Sequence, residues 1–406
     1  DIPLPLPSPA NPSSPPPASS PPQRHMQIPS PLPSVQLHHP APSQGQTRKL
    51  FHWLPDGSLQ LRIDWSSIES FLGCNRLAEY KLVHSKSPGP KSALVFGAAM
   101  HAALEIWYRN KEKIGTQFDL DTNCTLTKEA LLQRCYLAIE STFAEYPIGF
   151  INDYRTPEYC IQSFADYLTH YQSEVVVPVT HQAKPLVEFS FSYPLGKIEI
   201  PIAIFENWGW GKLSNDEGKE SATTAALHDS GLTTISCSIE WTGIVDMIAS
   251  LSGEHWLVDH KTTSILSGDF FDGFEIAMQP VGYVAAARAA FPELDIQGFM
   301  VNVLACRKPV SAVTASGKKS TAKAFEPHRR FYKYDTWKET EFRTDALALI
   351  EEFIANLTSN YFPRKTQWCI GKYGKCPFFE VCSLPPEQRM MMLESGTYQE
   401  NTWKPV

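Results

Sequence analysis

The sequence predicts an α/β fold: a central mixed sheet flanked by helices, with a helical region before it and a cysteine-rich segment near the end. Three observations predict it. Apolar residues recur at three- and four-residue intervals from 64 to about 175, the interval shortens to two from Val187, and one helical stretch lies inside the strand cluster with another after it. At 406 residues, 43% hydrophobic and 12% aromatic, the chain can bury a large core in one domain or two modest ones.

Residues 1–48 hold 15 of the 33 prolines, mixed with serine and alanine, and read as a disordered Pro-rich tail, partly polyproline II. Order is expected from Phe51. Trp65, Ile68, Phe71, Leu72, Leu77, Tyr80 and Leu82 have helical spacing, with Asp64 or Ser66 as the cap and Cys74 inside the helical stretch. A second helix covers 92–111. Its His101 stands one turn after Gly97, whose missing side chain is expected to leave space for a metal or phosphate. The patterns at 128–146 and 157–175 read as scaffold helices.

From Val187 to Phe191, and over 197–205, the chain alternates as two strands parted by a Pro-Leu-Gly turn, and 208–234 reads as a surface insertion. A hairpin follows, with strands at 239–248 and 256–263 joined through Ser252-Gly253-Glu254. Then come a helix at 273–291, apolar strands at 296–305 and 330–334, and an amphipathic helix at 336–360 carrying Phe342, Leu347, Ile350, Phe353, Ile354 and Leu357. Residues 386–406 read as a C-terminal tail.

Composition excludes little. The net charge of -7 and pI near 6.0 give no bulk basis for nucleic-acid binding, so any such role rests on a local patch. One exists between Arg307 and Lys333, where eight Lys or Arg (Arg307, Lys308, Lys318, Lys319, Lys323, Arg329, Arg330, Lys333) face one acid, Glu326. Read as a basic loop over 307–330, it suits a phosphate backbone, although most charge runs are only solvated. Ser316-Gly317-Lys318-Lys319-Ser320 lacks the glycine and the ending of a P-loop, and no ATPase motif accompanies it. No apolar run approaches a membrane span and no signal-peptide pattern opens the chain, so a cytoplasmic protein without membrane contact is expected. Nine cysteines in such a chain point to free thiols or metal ligands before disulfides.

Chemistry concentrates in the hairpin. Alternation puts Asp259 and Lys261 on one face and His260 on the other, with Asp246 on the neighbouring strand. Two carboxylates beside a lysine repel unless a cation neutralises them, and hard oxygen ligands suit magnesium or manganese. The same residues also fit a surface ion-pair ladder of small consequence. The charges end apolar runs, Ile244-Val245 and Trp256-Leu257-Val258, which favours function. Gln279 and Tyr283 are spaced i, i+4 on the next helix and share a face.

Taken in order, Gly243-x-x-Asp246, Asp259-x-Lys261 and Gln279-x-x-x-Tyr283, with His101 upstream, resemble the RecB-type nuclease domain of the PD-(D/E)XK superfamily over roughly Trp65 to Cys382, within a nuclease domain expected over 51–385. The resemblance implies a Mg2+- or Mn2+-dependent deoxyribonuclease, an exonuclease before an endonuclease, acting on DNA ends or single strands in recombination, repair or phage DNA processing. It implies Asp246, Asp259, Lys261, Gln279 and Tyr283 as catalytic residues, and His101, Asp246, Asp259 and the His260 backbone carbonyl as metal ligands. Glu188 is a weaker outer candidate. A separate helicase or recombination protein is an expected partner. A non-catalytic DNA-binding or assembly subunit of the same fold is the alternative.

Cys74, Cys369, Cys376 and Cys382 are together enough to hold a [4Fe-4S] cluster, with zinc as the competing group. AddAB-like and CRISPR-associated-like nucleases resemble this plan, with one cysteine before the domain and three after it. Their first C-terminal interval is usually two residues, where this chain has six between Cys369 and Cys376.

Overall fold

The computed structural model describes residues 36–38, 50–54, 58–89, 91–116, 118–119, 124–146, 153–208, 231–309, 323–371 and 374–400. Most of the Pro-rich stretch, most of the insertion and the centre of the basic stretch lie outside them. Within the stretch expected as a tail, β1 (Gln36–His38) pairs with residues 190–192.

Among the described residues nine strands form one sheet, mixed as expected. Its main members are β2 (Phe51–Trp53), β3 (Leu59–Ile63), β4 (Val187–Pro201), β5 (Thr234–Leu251), β6 (Glu254–Thr263), β7 (Ile296–Cys306) and β8 (Phe325–Lys333). The order β1-β4-β5-β6-β7-β8 is antiparallel except between β6 and β7, and β3 adds a parallel pairing to the first half of β5. Pro194-Leu195-Gly196 is a bulge inside one long strand, not the turn expected between two, because the pairing with β5 resumes at Gly196↔Ile239. Ser252 and Gly253 both have positive φ, 54° and 86°, so a two-residue turn matched to strand twist joins β5 to β6.

Helices cover both faces. On one side lie α1 (Trp65–Gly73), α7 (Met278–Ala290) and α8 (Thr336–Ser359), while α3 (Ser92–Asn110), α4 (Lys128–Glu145) and α5 (Pro157–His170) fill the other. Between them in chain order, α2 spans Asn75–Ala78 and α6 Ala203–Asn207. The caps are local: Asp64 Oδ1 accepts from Ser67 N at 2.9 Å, and Thr127 and Thr156 do the same for α4 and α5. The helix after β6 begins later than 273, at Met278, because residues 272–275 form a tighter turn.

Two elements differ from expectation in ways that matter. Cys74 is extended (φ -165°, ψ 126°), in the break between α1 and α2, so it is not inside a helix. Residues 386–400 are no loose tail. Here α9 (Phe379–Ser383) leads to α10 (Pro386–Glu394), and Leu393 and Tyr398 pack with Tyr80, Phe378 and Val381, the Tyr398 and Phe378 rings stacked at 4.9 Å.

Candidate active site

The site lies where the central strands part. Pairing of β5 with β6 runs from Leu251↔Glu254 to Met247↔Val258 and stops, leaving Asp246 and Asp259 at a fork. A strand that loses its neighbour leaves backbone groups to be satisfied. Asp246 Oδ2 does this for His260, accepting its N–H at 2.5 Å.

The same position disturbs β4. Val187 and Met247 belong to the α3 side of the sheet, whereas Phe189 and Val245 belong to the α7 side, so alternation breaks at Glu188 opposite Asp246. Glu188 takes a left-handed backbone, φ 45°. Such a conformation is held by its surroundings, here with Arg109 Nη2 donating to the Glu188 carbonyl at 3.3 Å.

From α3, His101 completes the corner. Its Nδ1 is 3.4 Å from Asp246 Oδ1 and 3.9 Å from Glu188 Oε1. Among the described residues, His101, Glu188 and Asp246 are the one His/Cys/Asp/Glu group whose ligand atoms all lie within 4.8 Å of one another. Gly97 does not open space for a ligand as expected: a Cβ there would lie 3.0 Å from Thr262 Oγ1, so the glycine lets α3 sit close on β6.

Asp259 and Lys261 share the other face of β6, Nζ lying 3.0 Å from Oδ1 and 2.8 Å from Oδ2. The Oδ2 contact falls outside hydrogen-bonding geometry, and that buried oxygen has no hydrogen-bond partner among the described residues. Gln279 Nε2 donates to the Tyr283 hydroxyl at 3.4 Å. A Cβ on Gly243 would meet the Phe191 ring at 2.9 Å and the Tyr283 ring at 3.0 Å, so Gly243 makes the room that Tyr283 occupies.

Electrostatics follow from burial and crowding. Burial disfavours protonated His101, but the Asp246 charge and hydrogen bond, then Glu188, outweigh it and raise its pKa well above the usual histidine value. Burial equally opposes the Asp246 anion, and His101, then His260 and Lys261, overcome it and hold Asp246 low. Burial pushes Glu188 up to about 7, the Asp246 charge adding to it against the His101 hydrogen bond. Asp259 is raised by burial and by Asp246 against the pull of Lys261. The Asp246, Glu188 and Asp259 carboxylates and the His101 imidazole form a nitrogen and oxygen donor set that fits a divalent cation, whose binding would displace the His101 proton.

His260 turns its side chain to the opposite side of the sheet, towards α3 and α5, where burial lowers it to about 3. Sequence reasoning placed Glu188 only at the margin; the lone acid in the apolar run Val187 to Phe191 was the available signal. The basic stretch divides. Arg329 is turned inward against Glu174, Arg330 pairs with Asp272, Arg307 with Glu326, and 310–322 lie outside the described residues.

The four cysteines expected to act together line one cavity of about 110 Å³, with Gly73, Leu77, Arg364, Trp368, Pro377 and Phe378 among its walls. Lys365 N donates to Cys74 Sγ at 3.4 Å and Cys376 N to the Cys369 carbonyl at 2.8 Å. Burial raises the Cys376 and Cys382 thiols. Cys135, Cys160, Cys237 and Cys306 are buried elsewhere in the core.

No described helix is long and apolar enough to cross a membrane. No curated protein matches the chain. The family model described as the PD-(D/E)XK nuclease superfamily matches residues 65–383. That match runs from the first residue of α1 to the last of α9, across strands β4 to β8, both helical layers and the fork, and by it the chain belongs to the PD-(D/E)XK nuclease superfamily.

Proposed function

We propose that the protein is a RecB-type, divalent-metal-dependent DNA nuclease, an exonuclease hydrolysing phosphodiester bonds at DNA ends or in single strands. The observation that carries this reading is the fork, where His101, Glu188 and Asp246 crowd together beside the Asp259–Lys261 pair. Asp246, Asp259, His101 and the His260 carbonyl would hold Mg2+ or Mn2+, and Glu188 joins them. When bound, the cation would offset charge on the phosphoryl oxygens and make water acidic enough to attack near neutral pH.

The chain's own groups do the rest. Burial opposes the charge on Lys261, but Asp259 and Asp246 raise its pKa, so it is an ammonium. In that form it donates to Asp259 and to an anionic phosphoryl oxygen, favouring the crowded transition state. Gln279 and Tyr283 reach the same fork from α7, and their hydroxyl and amide donors orient the scissile strand. Water attacks phosphorus as the bond to the leaving oxygen breaks; its hydroxyl stays on phosphorus and the proton it gives up is made good on the leaving oxygen through solvent.

The nuclease domain occupies about 51–385, with α10 and its following strand packed onto it. We assign a [4Fe-4S] cluster to the cysteine cavity. Four thiolates on zinc would stand roughly 3.8 Å apart at Zn–S distances of about 2.3 Å. No three of these sulfurs lie within 4.8 Å of one another, and the wider spacing suits a larger group. The cluster is structural, since hydrolysis needs no electron transfer. DNA is the substrate, and a helicase or recombination protein would deliver the ends.

End-labelled linear single-stranded and duplex DNA, beside closed circular DNA, tests the reading in Mg2+ and in Mn2+. Progressive shortening of linear substrates with circles left intact is expected. DNA that binds but stays whole with either metal would replace this reading with a non-catalytic DNA-binding subunit.

A further inference from the structure

Behind the fork, on the α3 side of the sheet, lies a set of buried and half-buried polar groups that the hydrolytic reaction does not use, with Lys111 at its edge donating to Glu174 Oε1 at 3.4 Å. It joins Tyr108 of α3, Tyr167 of α5, Glu174, His260 of β6, Asn302 of β7 and Arg329 of β8. The Arg329–Glu174 ion pair is drawn out of water, its side chains 13% and 10% exposed. Buried ion pairs are weak sources of stability, and apolar side chains of equal volume often do as well. The bonds must therefore be read for what they orient.

They run in one direction. A guanidinium only donates, so Arg329 Nε gives its proton to Asn302 Oδ1 (3.2 Å), which fixes which end of the amide is oxygen. Asn302 Nδ2 then carries two donors, one directed at the Tyr167 hydroxyl (3.0 Å) and one at His260 Nδ1 (2.8 Å). Tyr167 passes its proton to the Tyr108 oxygen (2.6 Å), and Tyr108 passes its own to Glu174 Oε1 (2.7 Å). Every proton in the chain is spoken for. His260 Nδ1 is an acceptor, and the ring's proton is on Nε2.

The ring so fixed is wedged at the fork. It stacks on Tyr108, centroids 5.8 Å apart and 18° between planes, and meets the His101 ring edge-on at 6.0 Å. Its backbone N–H is the one that Asp246 Oδ2 accepts.

We propose that Asn302 and Arg329 are positioning residues of the metal site: they lock His260 in its Nε2–H tautomer, and His260 in turn holds Asp246 and His101 in place for the cation. This rests on the reading of the fork as a metal site. Partners of this kind around metal ligands contribute about 10- to 100-fold in metal affinity or activity.

The test uses the full chain with 15N-labelled histidine, the His260 signals identified by their loss in His260→Gln. Wild type is expected to show an unprotonated Nδ1 and a protonated Nε2. Asn302→Asp is nearly isosteric and puts an acceptor where a donor was, so the proton should move to Nδ1. Mn2+ affinity, read by paramagnetic resonance, should fall about 10- to 100-fold. Arg329→Met, which frees the amide to turn over, should give mixed tautomers and an intermediate loss, and it stands in if the first variant does not fold. Phe164→Leu removes buried volume from the same helical layer without touching the chain of bonds, and should leave Mn2+ affinity at the wild-type value. A wild-type proton on Nδ1, or a moved proton with unchanged Mn2+ affinity, overturns the positioning role. Wild type that binds no Mn2+ sinks the metal reading itself and this role with it, the ring signals showing that the two failures differ.

Discussion

At the fork, His101, Glu188 and Asp246 come from three long elements and are held within 4.8 Å of one another by a strand ending, a left-handed residue and a side-chain-to-backbone bond. At the cysteine cavity, the thiols come from a helix break, two loop positions and the short helix α9, and no three approach that closely. The difference teaches what each group does for the fold. A site built by backbone geometry exists before its cation arrives. With the proposed cluster in place, one built from short segments around a cavity would lean on that cofactor, so binding energy there would also be folding energy. Metal removal should therefore silence the fork and loosen the cavity.

The largest expected effect is at the fork. Asp246→Asn keeps an oxygen for the His260 N–H and removes only the charge, so cleavage should fall by about a thousandfold or more, ~4 kcal/mol of transition-state stabilisation. Circular dichroism should show an unchanged fold. At the cavity the pattern reverses. Cys382→Ser should erase visible absorbance and lower Tm by about 4 °C, for roughly 2 kcal/mol, while cleavage per folded molecule persists. Equal loss of activity in both variants would break the comparison.

Smaller changes sharpen it. Glu188→Gln removes a carboxylate from the crowded corner and should raise the Mn2+ concentration for half-maximal cleavage about tenfold. Gly243→Ala drives a Cβ into Phe191 and Tyr283, and overpacking of this kind costs about 1–3 kcal/mol, readable by urea unfolding. The smallest effect is remote from both regions. Asp153 accepts from Ser92 and from Arg155 N; burial opposes its ionisation, but these bonds and the Arg155 charge hold its pKa below the usual value. Its stabilisation is present above the unfolded pKa of about 4 and is lost as pH falls through the lower folded value. Asp153→Asn should thus lower stability by under about 1 kcal/mol at pH 7 and by progressively less as pH falls through the folded value.

What could be read from the sequence divides along physical lines. The hairpin, the shared face of Asp259 and Lys261, and the i, i+4 pair Gln279 and Tyr283 were legible because period and turn chemistry are local. The fork was not, because the parting of β5 from β6 is a property of neighbours. Glu188 was hidden for the same reason: its alternation places it on one face, and only a positive φ, invisible in a side-chain pattern, brings it to His101. Cys74 looked helical since Phe71 and Leu77 keep a helical interval across the break. Pro194 and Gly196 are turn residues by type, yet continued pairing with β5 turns them into a bulge. Leu393 and Tyr398 gave no period at all, and their burial comes from Tyr80 and Phe378 far away in sequence.

The central claim, that the fork is a divalent-metal site, is tested most directly by Mn2+ binding to wild type and Asp246→Asn, followed by paramagnetic resonance in the absence of DNA. Saturable binding in wild type, weakened about a hundredfold or abolished in the variant, is the expected result. Equal binding in the two proteins would contradict it.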